Sequence, residues 1–216
     1  MKERPILFSG PMVRAILDGT KRQTRRIVKP QPTTEPIDRS EWECGPRRNP
    51  CPPHLFPFRR PDDEHSHYAY ACPYGVPGDR LWVRERWAAH DTLDDLSPQR
   101  IDEIDEDRNI WYAVDGDSGW GSLLADPSWR GRWRPSIHMP RWASRLSLRV
   151  TSVRAERVQD VTEADAMAMG ERANEVAYSA REAYVDTFCS EHGSGSWDRN
   201  DWVWVFGAER IGGRDG

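Results

Sequence analysis

The sequence predicts an α+β fold, in which a small β-barrel of five or six strands carries short flanking helices and long loop insertions. Five or six segments have the length and the alternation of strands, whereas only three short segments have helical spacing. The longest alternating segment, 142–158, changes phase after Val150, as strands do where a bulge turns a barrel corner. With 37% hydrophobic residues in 216, the chain has enough apolar material for one core.

The first three elements follow one another closely. Residues 5–8 form a candidate strand, and residues 11–18 have helical spacing between Pro11 near the start and Gly19 just past the end. Residues 23–29 form the next strand. Alternation places its side chains in two sets on opposite faces: Gln23, Arg25 and Ile27 on one, and Thr24, Arg26 and Val28 on the other.

Two insertions interrupt the predicted elements. Residues 30–61 hold nine of the 17 prolines, which predicts a long irregular segment because proline lacks an amide donor. Residues 91–107 contain eight acidic residues and one basic residue, which predicts a solvated loop or an exposed helix. We therefore expect one domain over 1–211, with insertions at about 31–70 and 90–130 and a flexible tail at 212–216.

The second half of the chain supplies most of the predicted sheet. Strands are expected at 80–87, 109–114, 142–158 and 202–206, the last with room to extend to Ile211. We expect Leu146, Leu148 and Val150 to point inward, together with alternate members of 202–206. The remaining helices are expected at 162–169, which opens with a near capping box at Thr162, and at 178–191.

Charge is distributed unevenly along the chain. The net charge is −4, yet residues 1–30 carry +6, so the remainder carries −10. This asymmetry fits a polyanion site near the start of the chain, and a chance surface composition would give the same numbers. No apolar run approaches the roughly 20 residues of a membrane span, no signal peptide is visible, and four cysteines are too few for a disulfide scaffold. We therefore expect a cytoplasmic protein without membrane contact.

The segment Gly19-Thr20-Lys21-Arg22-Gln23-Thr24-Arg25-Arg26 carries the most chemistry. Three lysines stand among 28 arginines, and a lysine, unlike an arginine, can lose its proton when it is desolvated. A neutral Lys21 can serve as base for the hydroxyl of Thr24, which is a poor nucleophile without one. The alternative is structural, with Lys21 and Arg22 stabilising the negative end of the preceding helix and Arg26 solvated on its strand.

The spacing Gly19-x-Lys21-x-x-Thr24-x-Arg26 resembles the G-x-K-x-x-[ET]-x-R signature of the activating-signal-cointegrator homology (ASCH) domain, in the PUA-like superfamily. Four longer segments resemble the ASCH-related proteins encoded in bacteriophages and prophages: ILFSGPMVRAILDGTKRQTRRIVKPQP, CPYGVPGDRLWVRERW, RPSIHMPRWASRLSL and WVWVFGAERI. Outside the two insertions the resemblance covers nearly the whole chain. It implies a small PUA-type barrel whose signature lines a cleft for RNA or a modified nucleotide, and DNA is an alternative ligand. It also implies a location in the cytoplasm of a bacterium or phage host.

The same resemblance implies a possible enzyme. Some members of the broader family are amidohydrolases of N4-acetylated cytidine, and others have been described as ribonucleases. In the amidohydrolases the signature lysine and threonine act with a glutamate on a later helix, which implies catalytic roles for Lys21 and Thr24. The glutamate position falls at Met169, which cannot hold a charge, so the carboxylate would have to come from Glu171 or Glu163.

Glu85, on a predicted central strand, is a further catalytic candidate, and a surface position on that strand is its alternative. Arginine beside tryptophan is the combination that phosphate contact and base stacking use, although most tryptophans pack in cores. We expect nucleic-acid contacts from Lys21, Arg22, Arg25, Arg26, Trp133 and Trp142.

Cysteine and histidine side chains cluster in and beside the proline-rich insertion: Cys44, Cys51, His54, His65, His67 and Cys72. Four such ligands would hold zinc, but the spacings match no standard zinc module. We therefore expect an irregular loop, with no metal and no cofactor.

Three functions are carried forward. The first is an RNA- or nucleotide-binding module, the second is a hydrolase of a modified nucleoside or RNA, and the third is a phage accessory protein that binds another protein through its insertions. A carboxylate within hydrogen-bond reach of Lys21 would favour the hydrolase, and an apolar Met169 there would favour binding.

Overall fold

A computed structural model describes residues 1–37, 55–60, 63–104, 109–116, 127–174, 176 and 178–213. Within these residues the strands are β1 (Glu3–Leu7), β2 (Gln23–Ile27), β3 (Leu55–Arg60), β4 (Asp63–Ala71), β5 (Arg80–Arg84), β6 (Trp87–Ala88), β7 (Trp111–Tyr112), β8 (Leu146–Arg157) and β9 (Trp202–Gly213). The α-helices of the same residues are α1 (Gly10–Leu17), α2 (Pro98–Ile104), α3 (Glu163–Ala168) and α4 (Ala180–His192). The predicted α+β class is confirmed.

One mixed sheet organises the molecule. Its strands lie in the order β1-β5-β8-β9-β2, with β1 parallel to β5 and the other neighbours antiparallel. This order makes β1 and β2 the two edges, and no backbone ladder joins them in the described part of the chain, so a closed barrel is not confirmed. A side chain does connect the edges, because Arg26 on β2 donates a hydrogen bond of 2.7 Å to the Leu7 carbonyl on β1.

The strand β8 behaves as its alternation predicts. Leu146, Leu148 and Val150 are all buried, in a core cluster shared with α1. The register of β8 against β9 shifts between Val150 and Ser152, which confirms that the phase change marks a bulge.

The prediction that only alternate members of 202–206 point inward is wrong, because all five are buried. Both faces of β9 are covered. Val203 and Val205 pack with α3 and α4, whereas Trp202 and Trp204 pack with the aromatic side chains of β3 and β4. A strand covered on both faces is apolar throughout instead of alternating.

Several predicted boundaries need correction. The proline-rich insertion contains the hairpin β3–β4, in which Phe58 is fully buried and packs edge-on against Trp202. The expected strand 80–87 ends at Arg84, and the expected strand 109–114 shortens to β7 because a 3₁₀ turn follows it. The acidic insertion forms α2, and β9 continues through Gly213 into the expected tail.

Within the described residues, no helix combines the length and the apolarity that crossing a membrane requires.

Candidate functional site

The signature segment lies in a turn between α1 and β2. Gly19 ends α1 with a φ of +72°, a left-handed conformation that glycine adopts without strain. The amide of Lys21 then donates to the Ala15 carbonyl, and the amide of Arg22 donates to the Ala168 carbonyl at the end of α3. The turn is therefore fixed between two helices and an edge strand.

Lys21 is buried, with only 8% of its surface exposed. Its Nζ donates hydrogen bonds of 3.0 Å to the carbonyls of Gln23 and Met169. Burial, together with the positive charge of Arg26, lowers the pKa of Lys21 to about 8, against the opposing influence of Glu171 and Glu191. Lys21 can therefore lose its proton close to neutral pH, as a general base must.

Glu171 is the carboxylate that neighbours Lys21. Burial and the charge of Glu191 raise the pKa of Glu171, while Lys21 and a hydrogen bond with Thr187 act in the opposite direction. The side chain of Met169 packs with α4 in the core, and only its carbonyl contacts Lys21. Met169, at the position of the family glutamate, thus contacts Lys21 through its backbone carbonyl. The carboxylate whose charge acts on the Lys21 ammonium is that of Glu171, two residues later.

Glu163, the other alternative carboxylate, has a structural role. Its two oxygens accept hydrogen bonds of 2.8 and 2.9 Å from the amides of Ala180 and Arg181 at the start of α4. It thereby satisfies amides that have no partner within the helix.

Lys21 and Arg26 converge on one aromatic ring. The Nζ of Lys21 lies 5.9 Å from the centroid of Phe8, and the Cζ of Arg26 lies 5.6 Å from it. Thr24 shares a face of β2 with Arg26 by alternation, is 6% exposed and pairs with Phe206 in the sheet. The structure therefore brings two of the three signature side chains together over Phe8 and buries the third on the same strand.

Arg25 does not face a ligand surface. It lies on the opposite face of β2, its side chain is 1% exposed, and its Nη2 pairs with Glu156 at 2.8 Å and Asp165 at 3.2 Å. This buried guanidinium with two carboxylate partners has a structural role, and the predicted nucleic-acid contact of Arg25 stays a prediction. Arg22, by contrast, is exposed, and its Nε donates a 3.3 Å hydrogen bond to the Gly19 carbonyl.

Glu85 lies in the interior, where its carboxylate faces a guanidinium group. It is 1% exposed, and both oxygens accept hydrogen bonds of 3.0 Å from Arg145, which also pairs with Asp115. Burial raises the pKa of Glu85, while Arg145 acts in the opposite direction. This buried ion pair joins the end of β5 to the start of β8, and a surface position for Glu85 is wrong.

The two tryptophans that were predicted to contact nucleic acid have different surroundings. Trp142 packs edge-on against Trp87, with ring centroids 5.8 Å apart, at the border of a core cluster. Trp133 is half-buried and lies under two guanidinium groups, with Arg86 at 5.7 Å and Arg130 at 4.5 Å from its ring centroid. Trp133 thus lies on a surface with two arginines, whereas Trp142 packs against a hydrophobic core cluster.

A basic groove runs beside the signature strand. It consists of a cleft of about 470 Å³ and a second of about 250 Å³, which share Arg26 and Tyr74 in their walls. We call this the β1–β2 groove; its lining comprises Pro5, Ile6, Leu7, Arg26, Ile27, Lys29, Tyr70, Ala71, Pro73, Tyr74, Arg84, His192 and Trp204. Among the described side chains of the lining, the permanently charged ones are Arg26, Lys29 and Arg84, and none is a carboxylate.

Most of this groove was not anticipated. Lys29, Tyr70, Tyr74 and Arg84 come from three separate stretches of sequence, and the alternate tyrosines of the segment YAYACPY were the one local signal.

Part of the cysteine and histidine cluster that could hold zinc lies outside the described residues, namely Cys44, Cys51 and His54. Burial raises the pKa of the Cys72 thiol to about 11, which disfavours the thiolate that binds metal. Over the part of the chain that is described, no three side chains of the metal-binding types come together.

Comparison with protein-family models, with curated proteins and with solved structures found no match to this chain. The resemblance to the ASCH domain stays a prediction, and the function must be argued from the site itself.

Proposed function

We propose that this protein binds single-stranded RNA or a nucleotide in the β1–β2 groove, on a PUA-like barrel. The observation that carries the proposal is the charge of the groove, whose charged lining residues Arg26, Lys29 and Arg84 are all cationic. Cations without a facing carboxylate favour a phosphate-bearing ligand, and the arginines can grip phosphate oxygens in a fork. The larger cleft, at about 470 Å³, is of the size that small-ligand sites have.

The groove also offers a place for a base. Tyr70 and Tyr74 are half-buried, and Tyr74 stacks on Phe206 with ring centroids 4.9 Å apart. A ring fixed in this way loses little freedom when a base stacks on it, and each stacked base contributes about 1–3 kcal/mol. Aromatic rings beside cations therefore support a single-stranded ligand whose bases are exposed.

The barrel is supported by the contact between the edge strands. Arg26 bridges β2 to the Leu7 carbonyl of β1, at a point where a closed barrel would have a backbone ladder. The same guanidinium lines both clefts of the groove, so ligand binding and the approach of the two edges depend on one side chain.

Binding is tested by fluorescence anisotropy with labelled single-stranded RNA, single-stranded DNA and double-stranded RNA at two salt concentrations. We expect single-stranded RNA to bind, and Arg26→Gln and Lys29→Gln each to reduce the salt dependence by about one phosphate contact. Lys29 is exposed, so its replacement leaves the fold intact, and Arg210→Gln on β9 is the matched exposed control. Equal affinity of all four proteins for RNA would contradict the proposal.

A second candidate function is hydrolysis of an acylated nucleoside or of RNA by Lys21 and Thr24. The observation that favours it is the buried Lys21, with its pKa of about 8 and Glu171 as its neighbour. In this mechanism Lys21 accepts the proton of the Thr24 hydroxyl, and the negative charge of Glu171 stabilises the ammonium that forms.

Hydrolysis predicts that Thr24→Ala abolishes turnover while RNA affinity stays nearly unchanged, since one hydroxyl contributes about 0.5–1.5 kcal/mol as a hydrogen bond. The measurement is acetate release from N4-acetylcytidine by the wild type, Thr24→Ala and Glu171→Gln. If the wild type releases no acetate and cleaves no RNA, this second candidate is wrong and the binding proposal is unaffected.

A further inference from the structure

A second cleft, of about 670 Å³, is lined by α1, by the preceding Phe8 and Ser9, by the 3₁₀ turn Ala113–Asp115 and by Ser136. Two arginines from distant parts of the sequence line it, Arg14 on α1 and Arg86 after β5. We call it the α1 cleft.

We propose that the α1 cleft binds a small phosphate monoester, with the phosphate held between Arg14 and Arg86. This site is separate from the β1–β2 groove, whose lining shares no residue with that of the α1 cleft. A phosphate monoester carries a charge of about −1.5 to −2 at neutral pH, which two guanidinium groups match.

The arginines are held in position before any ligand binds. The Arg86 guanidinium lies 5.7 Å from the ring centroid of Trp133, and this contact restricts an otherwise exposed side chain. Arg14 donates one hydrogen bond of 2.8 Å to the Val114 carbonyl on the far wall, which leaves its other N–H donors for a ligand. Both guanidinium groups therefore lose little freedom on binding.

The rest of the lining suits an organic body more than a bare ion. Phe8, Pro11 and Val114 provide apolar contact, and Ser9, whose hydroxyl makes no capping hydrogen bond, provides a neutral donor. Among the described residues the lining has one acid, Asp18, which follows α1. Its carboxylate can accept a hydrogen bond from a ribose hydroxyl or a base amino group, as a nucleoside monophosphate would offer.

The experiment is a calorimetric titration of the full chain with adenosine 5′-monophosphate, adenosine and inorganic phosphate as probes. We expect the monophosphate to bind more tightly than either fragment, and Arg86→Gln and Arg14→Gln each to weaken it by about tenfold or more. The one hydrogen bond of Arg86 within the described residues is made by its backbone carbonyl, which accepts from the Ala113 amide and is retained in Arg86→Gln. This variant therefore keeps the test valid if Arg14→Gln disturbs the turn. Arg210→Gln, on the exposed part of β9, is expected to bind the monophosphate like the wild type.

Two results would overturn the proposal: wild-type affinity for the monophosphate in Arg86→Gln, or an equal loss of affinity in Arg210→Gln. A competition experiment separates a free nucleotide from the end of an RNA chain as the source of the phosphate. Displacement of the monophosphate by 5′-phosphorylated RNA alone assigns the site to RNA ends, and no displacement assigns it to free nucleotides. Equal displacement by 5′-hydroxyl RNA would contradict a monoester site.

Discussion

Lys21 keeps its two hydrogen bonds whether or not it is charged. An ammonium has three N–H donors and a neutral amine has two, so the carbonyls of Gln23 and Met169 are satisfied in both states. Deprotonation therefore costs no hydrogen bond and exposes a lone pair. This explains how a buried lysine with a pKa of about 8 can persist without a direct carboxylate contact.

The lowered pKa predicts a dependence of stability on pH. The folded pKa of Lys21 is about 8, against an ordinary value of 10.5, so between these values the unfolded chain holds a proton that the folded chain has released. The free energy of unfolding therefore rises with pH across this window, by about 3 kcal/mol in total. Urea denaturation of the wild type and Lys21→Met should show the wild type gaining that amount relative to the variant. A difference that stays constant with pH would refute the lowered pKa.

At the scale of the elements, Arg25 joins β2 to α3. Its partner Asp165 caps the start of α3 through Thr162 and also accepts a hydrogen bond of 3.0 Å from Gln23. Burial raises the pKa of Asp165, but the hydrogen bonds from Thr162 and Gln23 and the charge of Arg25 outweigh it and lower the pKa to about 2. The strand that carries the signature is thus anchored to the helix whose end holds Lys21.

We expect Arg25→Gln to lower the free energy of unfolding by about 2–4 kcal/mol, because it removes the buried cation from Glu156 and Asp165 and leaves them the more exposed Arg154. Arg22→Gln, at the exposed neighbouring position, should change it by less than about 0.5 kcal/mol. Denaturant titration measures both. A contribution of Arg25 to the salt dependence of RNA binding, with stability unchanged, would show that it contacts the ligand after all.

At the scale of the whole molecule, local signals predicted the elements that depend on local interactions. Gly19 marked the end of α1, and the Thr162–Asp165 capping box marked the start of α3. The phase change after Val150 located the bulge in β8. Pairings distant in sequence left no such signal. The β3–β4 hairpin is stabilised by packing of Phe58 on Trp202, which overrides the prolines around it.

The candidate site divides in the same way. The sequence predicted that Lys21 and Arg26 belong to one site, because the two residues are close together in the signature. The structure brings both side chains to the ring of Phe8. Arg145, the partner of Glu85, is 60 residues away, and the groove tyrosines Tyr70 and Tyr74 lie outside every predicted strand. Tertiary packing decides such contacts, and one sequence does not contain their register.

The position of RNA on the molecule is tested most directly by photo-crosslinking. Single-stranded RNA that carries 4-thiouridine is irradiated with the full chain, and the crosslinked peptides are identified by mass spectrometry. We predict crosslinks at Tyr70 and Tyr74 in the β1–β2 groove, and their loss in Lys29→Gln at a salt concentration where Arg210→Gln still gives them. Crosslinks confined to residues outside the groove, such as Trp129 and Trp133, would contradict the account.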